Sequence, residues 1–119
     1  MTKAAASGQP GLFDQKPDDA NIETIVLFGL GEFQSRGFEL IGRRLPLDRL
    51  RGAFKRAAAE LDLPEPADKT IVGALERLGG EVMQLPGFVA KHPFRITIRK
   101  ALAEMAAERY RQLRDRRGS

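Results

Sequence analysis

The chain has 119 residues with a net charge of +4, 42% hydrophobic and 30% charged residues, one histidine and no cysteine. This length allows one domain, and the composition is typical of a folded protein, while disulfides, thiolate-bound metals and multi-histidine metal clusters are excluded. No secretory signal is recognisable, and the longest apolar run, residues 25–30, is too short to cross a bilayer. A cytoplasmic protein without membrane association is therefore expected.

The first 20 residues differ in composition from the rest of the chain. Besides Met1, they contain two prolines, two glycines and only two large apolar side chains, those of Leu12 and Phe13. Such a segment buries too little apolar surface to offset its loss of conformational entropy on ordering. A disordered tail is predicted for residues 1–20 and a folded domain for residues 21–117.

The first predicted helix begins near Asp18 or Asp19, either of which would cap it. Its apolar stripe has helical spacing and consists of Ile22, Val26, Leu30 and Phe33. The apolar residues 25–28 also suit a short buried strand, and Gly29 and Gly31 each disfavour a helix by about 1 kcal/mol. A helix is predicted here, with the strand as the alternative.

Gly37 is expected to end the first helix, and Pro46 to begin the second as a favoured first-turn residue. The buried stripe predicted for the second helix is Leu47, Leu50, Phe54, Ala58 and Leu61. Pro64 and Pro66 follow this stripe, and proline cannot continue a helix. The second helix is therefore predicted to end just before them.

A third helix is predicted from a cap at Asp68 or Thr70 to the pair Gly79–Gly80, which would end it. Its apolar residues are Ile71, Leu75 and Leu78. The bounded apolar segment that follows, residues 81–93, is expected to form one short strand or an extended loop.

In one interpretation the last helix begins at Pro93, and its helical stripe consists of Ile98, Leu102, Met105, Arg109 and Leu113. Leu102, Met105 and Leu113 would be buried, and Arg111, Arg114 and Arg117 exposed. Residues 94–99 alternate between apolar and polar side chains, which also predicts a half-buried strand. From Lys100 onward only a helix fits. The expected fold class is mainly α: a small single-domain bundle of about four helices, with one short β-hairpin as an option.

The tail contains a short motif, Gln9-Pro10-Gly11-Leu12-Phe13. It resembles the Gln-x-x-Leu-Phe peptide by which many bacterial replication and repair proteins dock on the DNA polymerase sliding clamp. The resemblance covers five of the 119 residues. It implies that Leu12 and Phe13 fill an apolar pocket of the partner while the Gln9 amide hydrogen-bonds at its rim. The alternative is that Leu12 and Phe13 fold back onto the domain.

Basic residues are concentrated in two segments that flank an acidic one. Residues 43–56 carry six basic and one acidic side chain, residues 91–117 nine and three, and residues 57–90 two and six. This distribution predicts either an internal charge match or a basic surface for a polyanion. The residues assigned to binding of nucleic acid or an acidic partner are Arg43, Arg44, Arg49, Arg51, Lys55, Arg56, Arg95, Arg99, Lys100, Arg111, Arg114 and Arg117.

Other patterns do not indicate a site. The sequence Gly29-Leu30-Gly31 lacks the third glycine of a dinucleotide-binding loop, and His92 has no recognisable nucleophile beside it. A helix-turn-helix built from residues 69–78 and 94–113 is not expected, because the segment between them is too long for its turn. No catalytic residues, bound metal or cofactor are expected.

Together these features predict a small non-enzymatic accessory or adaptor protein, one of bacterial DNA replication or repair. Its tail would dock on a protein partner such as the sliding clamp. Its basic helical faces would contact DNA, without strong sequence preference, or a second protein. Two other classes remain open: a small DNA-binding regulator, and a phage- or plasmid-encoded inhibitor or structural component that meets an acidic protein.

Overall fold

The computed structural model describes residues 18–86 and 93–118. Its helices are α1 (Asp19–Ser35), α2 (Leu47–Glu60), α3 (Asp68–Arg77) and α4 (Lys100–Gly118), and its strands are β1 (Arg44–Pro46), β2 (Glu81–Gln84) and β3 (Phe94–Thr97). The predicted mainly α class with a small hairpin is confirmed, and α1 begins two residues before the domain boundary predicted at residue 21. Across the described residues, no helix combines the length and hydropathy needed to span a bilayer. Residues 18–20 of the predicted tail form the cap and the first residues of α1, and residues 1–17 lie outside the described part.

Helix α1 is capped by Asp18, whose carboxylate accepts a hydrogen bond from the Ala20 amide at 3.1 Å. Every residue in the range 25–31 is buried, so this part of the helix contacts protein on all sides. A helix buried on all sides needs a continuous apolar run. A buried strand has the same pattern, which is why a strand was the alternative for residues 25–28. That alternative is wrong. After α1, Gly37 adopts a φ of +91°, which confirms it as the residue that ends the helix.

Two glycines bring the neighbouring helices close to α1. A Cβ atom at Gly29 would lie 2.6 Å from Phe54 Cδ1 of α2. One at Gly31 would lie 2.6 Å from the Ala106 carbonyl oxygen of α4 and would overlap Tyr110. These glycines weaken the helix in isolation but allow α2 and α4 to pack directly against its backbone.

Helix α4 runs antiparallel to α1. Gln34 Nε2 donates to the Ala103 carbonyl oxygen at 2.9 Å, while Phe28, earlier in α1, meets Tyr110, later in α4, in an edge contact with ring centroids 5.0 Å apart. Rising residue numbers in one helix therefore meet falling numbers in the other. The long contact between the two helices holds the first and last helices of the fold together.

The buried face of α4 differs from the predicted one. Leu102, Ala103 and Ala106 are buried, whereas Met105 is 47% exposed, so its predicted burial is wrong. The predicted stripe took Ile98 as its first residue, but Ile98 precedes the helix. The face that meets α1 is instead set by Leu102 and the small residues Ala103 and Ala106. Among the remaining predictions, Leu113 is half-buried, and Arg111 and Arg114 are exposed as expected.

Helix α2 has the predicted buried stripe, except that Leu61, which follows the helix, is only partly buried. Pro46 occupies the N-cap position of α2, one residue before the helix begins. For α3, the N-cap is Ala67, so the predicted caps Asp68 and Thr70 are wrong. The Asp68 carboxylate instead pairs with an arginine of α2.

The predicted glycine stop of α3 is confirmed. Gly79 adopts a φ of +98°. The Gly80 amide donates to the Leu75 carbonyl oxygen at 2.8 Å, and the Gly79 amide donates to the Glu76 carbonyl oxygen at 3.1 Å. This pair of bonds is the Schellman arrangement, which turns the chain from α3 into β2.

The three strands form an antiparallel sheet in the order β1-β3-β2. Residues 94–97 are a strand, so the interpretation in which the last helix begins at Pro93 is wrong. Ile96 and Ile98 are buried, and Ile96 pairs with Leu45 of β1 and Val82 of β2. Strand β1 was not predicted, because its three residues include Pro46 and show no strand pattern.

We expect Gly31→Ala to lower the free energy of unfolding by about 1–3 kcal/mol, the usual cost of overpacking. The control is Gly52→Ala on the exposed side of α2, where the new Cβ lies 3.4 Å from Arg56 Nη1. It should raise stability by up to about 1 kcal/mol through helix propensity. Urea unfolding of both variants provides the measurement. Equal effects would show that α1 and α4 are not in close contact.

Leu102→Ala should destabilise the protein by about 2–4 kcal/mol, because it removes a buried side chain that is only 3% exposed. Met105→Ala, on the exposed side of the same helix, should cost less than about 0.5 kcal/mol. Thermal or urea unfolding separates the two. A larger loss for Met105→Ala would contradict the buried face described above.

Candidate binding surfaces

The interior of the described structure offers little chemistry. Within residues 18–86 and 93–118, no polar or charged residue is buried, and no three side chains of metal-ligand type cluster together. In this part of the chain, the pKa of Arg77 is raised above its ordinary value, mainly by the hydrogen bond that its guanidinium donates to Glu23. The candidate functional surfaces are therefore on the exterior.

The outer face of the sheet carries arginines from both basic segments. The register places Arg44 of β1 opposite Thr97 of β3, and Arg95 of β3 opposite Met83 of β2. A cleft of about 270 Å³ lies on this face. Its lining residues, together with the adjoining Arg99, are here called the sheet face: Arg44, Glu81, Val82, Met83, Arg95 and Thr97.

The side chains of the sheet face carry more positive than negative charge. Arg44 Nη2 donates to Met83 Sδ at 3.5 Å, and a thioether sulfur is a weak acceptor. Arg95 is half-buried and donates through Nη1 to the Phe94 carbonyl oxygen at 3.2 Å. Glu81, the acidic side chain of the cleft, forms an ion pair with Arg99. Three arginines therefore share this face with one carboxylate.

On and around α2, charges are partly matched internally. Arg51 contacts Asp68 at 2.5 Å, and Arg56 contacts Glu32 at 2.9 Å. Arg43, in the loop before β1, contacts Glu39 at 2.8 Å. The remaining basic side chains of the helix, both exposed, are Arg49 and Lys55. In the first basic segment, Arg51 therefore makes the predicted match with the acidic segment, while Arg43 and Arg56 meet acidic residues outside it.

The predicted cations of α4 are not brought to the sheet face. Lys100 lies 3.9 Å from Glu104, and Arg111 pairs with Glu108. Arg114 donates to the Tyr110 hydroxyl at 2.7 Å, with its guanidinium carbon 5.6 Å from the ring centroid. At about 1.5 Å per residue, Arg114 is roughly 20 Å along the helix from its first residue. The side chain of Arg117 is outside the description.

Sequence reasoning missed a second surface, in the loop between α1 and β1. Phe38 is 45% exposed and Ile41 is 50% exposed. Two clefts, of about 310 and 360 Å³, are both lined by Phe38 and are called the Phe38 clefts. The available signal was a pair of glycines, Gly37 and Gly42, which bracket a short segment with three large apolar residues. Gln9, Leu12 and Phe13, the predicted docking residues, lie outside the described residues.

Helices α2 and α3 are consecutive and joined by residues 61–67, and the β2–β3 hairpin follows them. The surface of α3 is nearly neutral. Arg77 is held by Glu23 at 2.8 Å and lies 3.6 Å from Asp19, while Lys69 and Glu76 are exposed and oppose each other in sign. The helix-turn-helix considered from the sequence paired residues 69–78 with residues 94–113. In the structure the hairpin separates α3 from α4, and α2 and α3 are the consecutive pair.

No protein-family model, curated protein or solved structure matches the chain. The candidate functional features are therefore the sheet face, the α2–α3 arrangement, the Phe38 clefts and the tail motif.

Proposed function

We propose that this protein is a small non-enzymatic accessory protein of DNA metabolism, which contacts duplex DNA through the sheet face and docks on a protein partner through its tail. The observation that carries the proposal is the convergence of Arg44, Arg95 and Arg99 on one face from two separate basic segments. Arginine guanidinium groups suit phosphate oxygens, and phosphate contacts supply most non-specific DNA affinity.

The order of the elements supports a DNA-contacting body. A helix pair followed by a β-hairpin, with a strand before the pair that completes the sheet, is the element order of winged helix-turn-helix domains. The resemblance is one of topology, and the arginines of the sheet face supply the chemistry. The connection over residues 61–67 is also longer than the three or four residues of a helix-turn-helix turn.

The charge of α3 favours binding without sequence preference. In helix-turn-helix proteins the second helix of the pair enters the major groove and reads the bases. Here Arg77 is engaged by acidic side chains of α1, and Lys69 is offset by Glu76. A nearly neutral α3 supports phosphate contacts from the sheet face over base recognition by arginine.

The tail motif supports the second half of the proposal. Phe13 lies six residues before the first residue of α1, so the motif is close to the folded body in the chain but outside its core helices. The candidate partner is the sliding clamp, on the resemblance of Gln9, Leu12 and Phe13 to its binding peptide. In the alternative of an inhibitor or structural component, the basic surface would contact an acidic protein instead of DNA.

Duplex DNA binding should weaken roughly a hundredfold between 50 and 200 mM salt if about four phosphates are contacted, because each contact contributes about −0.9 to the log–log slope. Combining Arg44→Gln with Arg95→Gln should make this slope shallower by about 2. The control, Arg36→Gln with Arg109→Gln, removes the same charge from exposed residues outside the sheet face and should change it by less than 1. Gel-shift titrations at three salt concentrations give the slopes.

A shift that is insensitive to salt, or a strong preference for one sequence over random duplexes, would contradict the phosphate model. Absence of any shift at all salt concentrations would remove DNA from the proposal. In that case an acidic protein that remains bound to the chain after nuclease treatment of a lysate would identify the inhibitor or adaptor class.

Leu12→Ala combined with Phe13→Ala should abolish binding to immobilised sliding clamp and leave the melting temperature unchanged, because the core formed by α1 begins at Ile22. The matched control is Gln15→Ala with Lys16→Ala, in the same segment but outside the motif. Surface plasmon resonance measures clamp binding, and calorimetry measures the melting temperature. A large fall in melting temperature would instead show that Leu12 and Phe13 pack on the domain.

A further inference from the structure

We propose that the Phe38 clefts bind an acidic linear segment of a partner protein, which inserts an aromatic or leucine side chain beside Phe38. This site is separate from both surfaces of the proposed function. Phe38 and Ile41 lie three residues apart and are among the large apolar residues that the described structure leaves exposed. Clustered exposed apolar side chains in a folded protein commonly mark an interaction surface.

The loop that presents these side chains is fixed by the fold. Gly37 and Gly42 adopt φ values of +91° and +73°, the left-handed region that favours glycine. The Gly42 amide donates to the Ile98 carbonyl oxygen at 2.9 Å, which ties the loop to the end of β3. Leu40, between the two exposed residues, is buried in the core. The site is therefore preformed, which lowers the entropy cost of binding.

Each cleft has an apolar wall and a volume suited to one anchoring side chain. Phe38 stacks on Phe33 with ring centroids 4.9 Å apart and an interplanar angle of 28°. The 310 Å³ cleft is also lined by Leu45, and the 360 Å³ cleft by Leu40 and Ile41. Both volumes lie near the lower end of the range for ligand pockets, about 300–1,000 Å³.

The charge at the rim selects an acidic partner. Arg43 and Arg49 line the cleft that contains Phe33, and Glu39 on the same rim is held by Arg43 at 2.8 Å. Arg36, one residue before Gly37, is also exposed. Arginine at such a rim forms charge-assisted hydrogen bonds with carboxylates, so Asp or Glu on either side of the anchor would add affinity and direction.

The chain's own apolar pair is a poor occupant of this site within one molecule. The clefts are at the C-terminal end of α1, where Phe33 and Gln34 line them, about 21 Å along the helix from its first residue. The six residues from Phe13 to that first residue extend over at most about 21 Å. Leu12 and Phe13 would therefore need a fully extended connection, which costs conformational entropy at every residue, whereas a partner segment carries no such restraint.

The test selects a phage-displayed library of random dodecapeptides on the immobilised full chain. We expect enriched peptides that combine Phe, Tyr, Trp or Leu with at least two acidic residues. The strongest, synthesised with a fluorescent label, should bind at least tenfold more weakly to Phe38→Ser combined with Ile41→Ser. Met105→Ser is the matched control, since Met105 is 47% exposed on α4, and it should leave the affinity unchanged.

Three results would overturn the proposal: no enrichment over uncoated support, enriched peptides without acidic residues, or equal binding by the double-serine variant. A labelled 12-nucleotide oligothymidylate is tested in parallel, and Phe38-dependent binding to it would assign the clefts to nucleic acid instead. Phe38-dependent dimerisation in sedimentation velocity would assign them to a second copy. The Arg44 and Arg95 variants keep the Phe38 clefts intact, so failure of DNA binding and failure of peptide binding are separately visible.

Discussion

The contact of α1 with its neighbours on all sides is the constraint on which the remaining structure depends. Gly29 admits Phe54 of α2 on one side, and Gly31 admits Tyr110 of α4 on another. Because backbone atoms of α1 form part of these contacts, no larger side chain fits there without displacing a neighbouring helix. The placement of α2 against α1 depends on Gly29, and the placement of α4, with the course of the chain after β3, depends on Gly31.

The sequence predicts those parts of the fold that depend on local signals. The expected cap of α1 is Asp18, and the expected left-handed residues after α1 and α3 are Gly37 and Gly79. The alternation over residues 94–97 indicates a strand, as observed. The sequence does not predict features that are determined by a tertiary contact. β1 exists because β3 offers it a partner, and Met105 faces outward because small alanines set the face that meets α1.

The candidate surfaces show the same division. The sequence identifies two basic segments, but which cations meet an acid depends on the fold: Arg51 finds Asp68, while Arg44 and Arg95 come to one sheet face through strand register. The sequence does not predict the exposure of Phe38, because an apolar residue between two helices is usually buried and the two bracketing glycines indicate only a turn. Its exposure follows from Gly37 and Gly42, which fix the loop with Leu40 inward.

The small sheet also limits how the protein associates with others. Its outer strands have three and four residues, β1 ends at Pro46, and Pro86 follows β2 by two residues. Proline lacks the amide that a further strand would need, and short edges offer few backbone groups for pairing. Growth of the sheet by addition of foreign strands is therefore disfavoured. Association has to use side chains, which makes recognition selective and protects concentrated solutions against edge-to-edge aggregation.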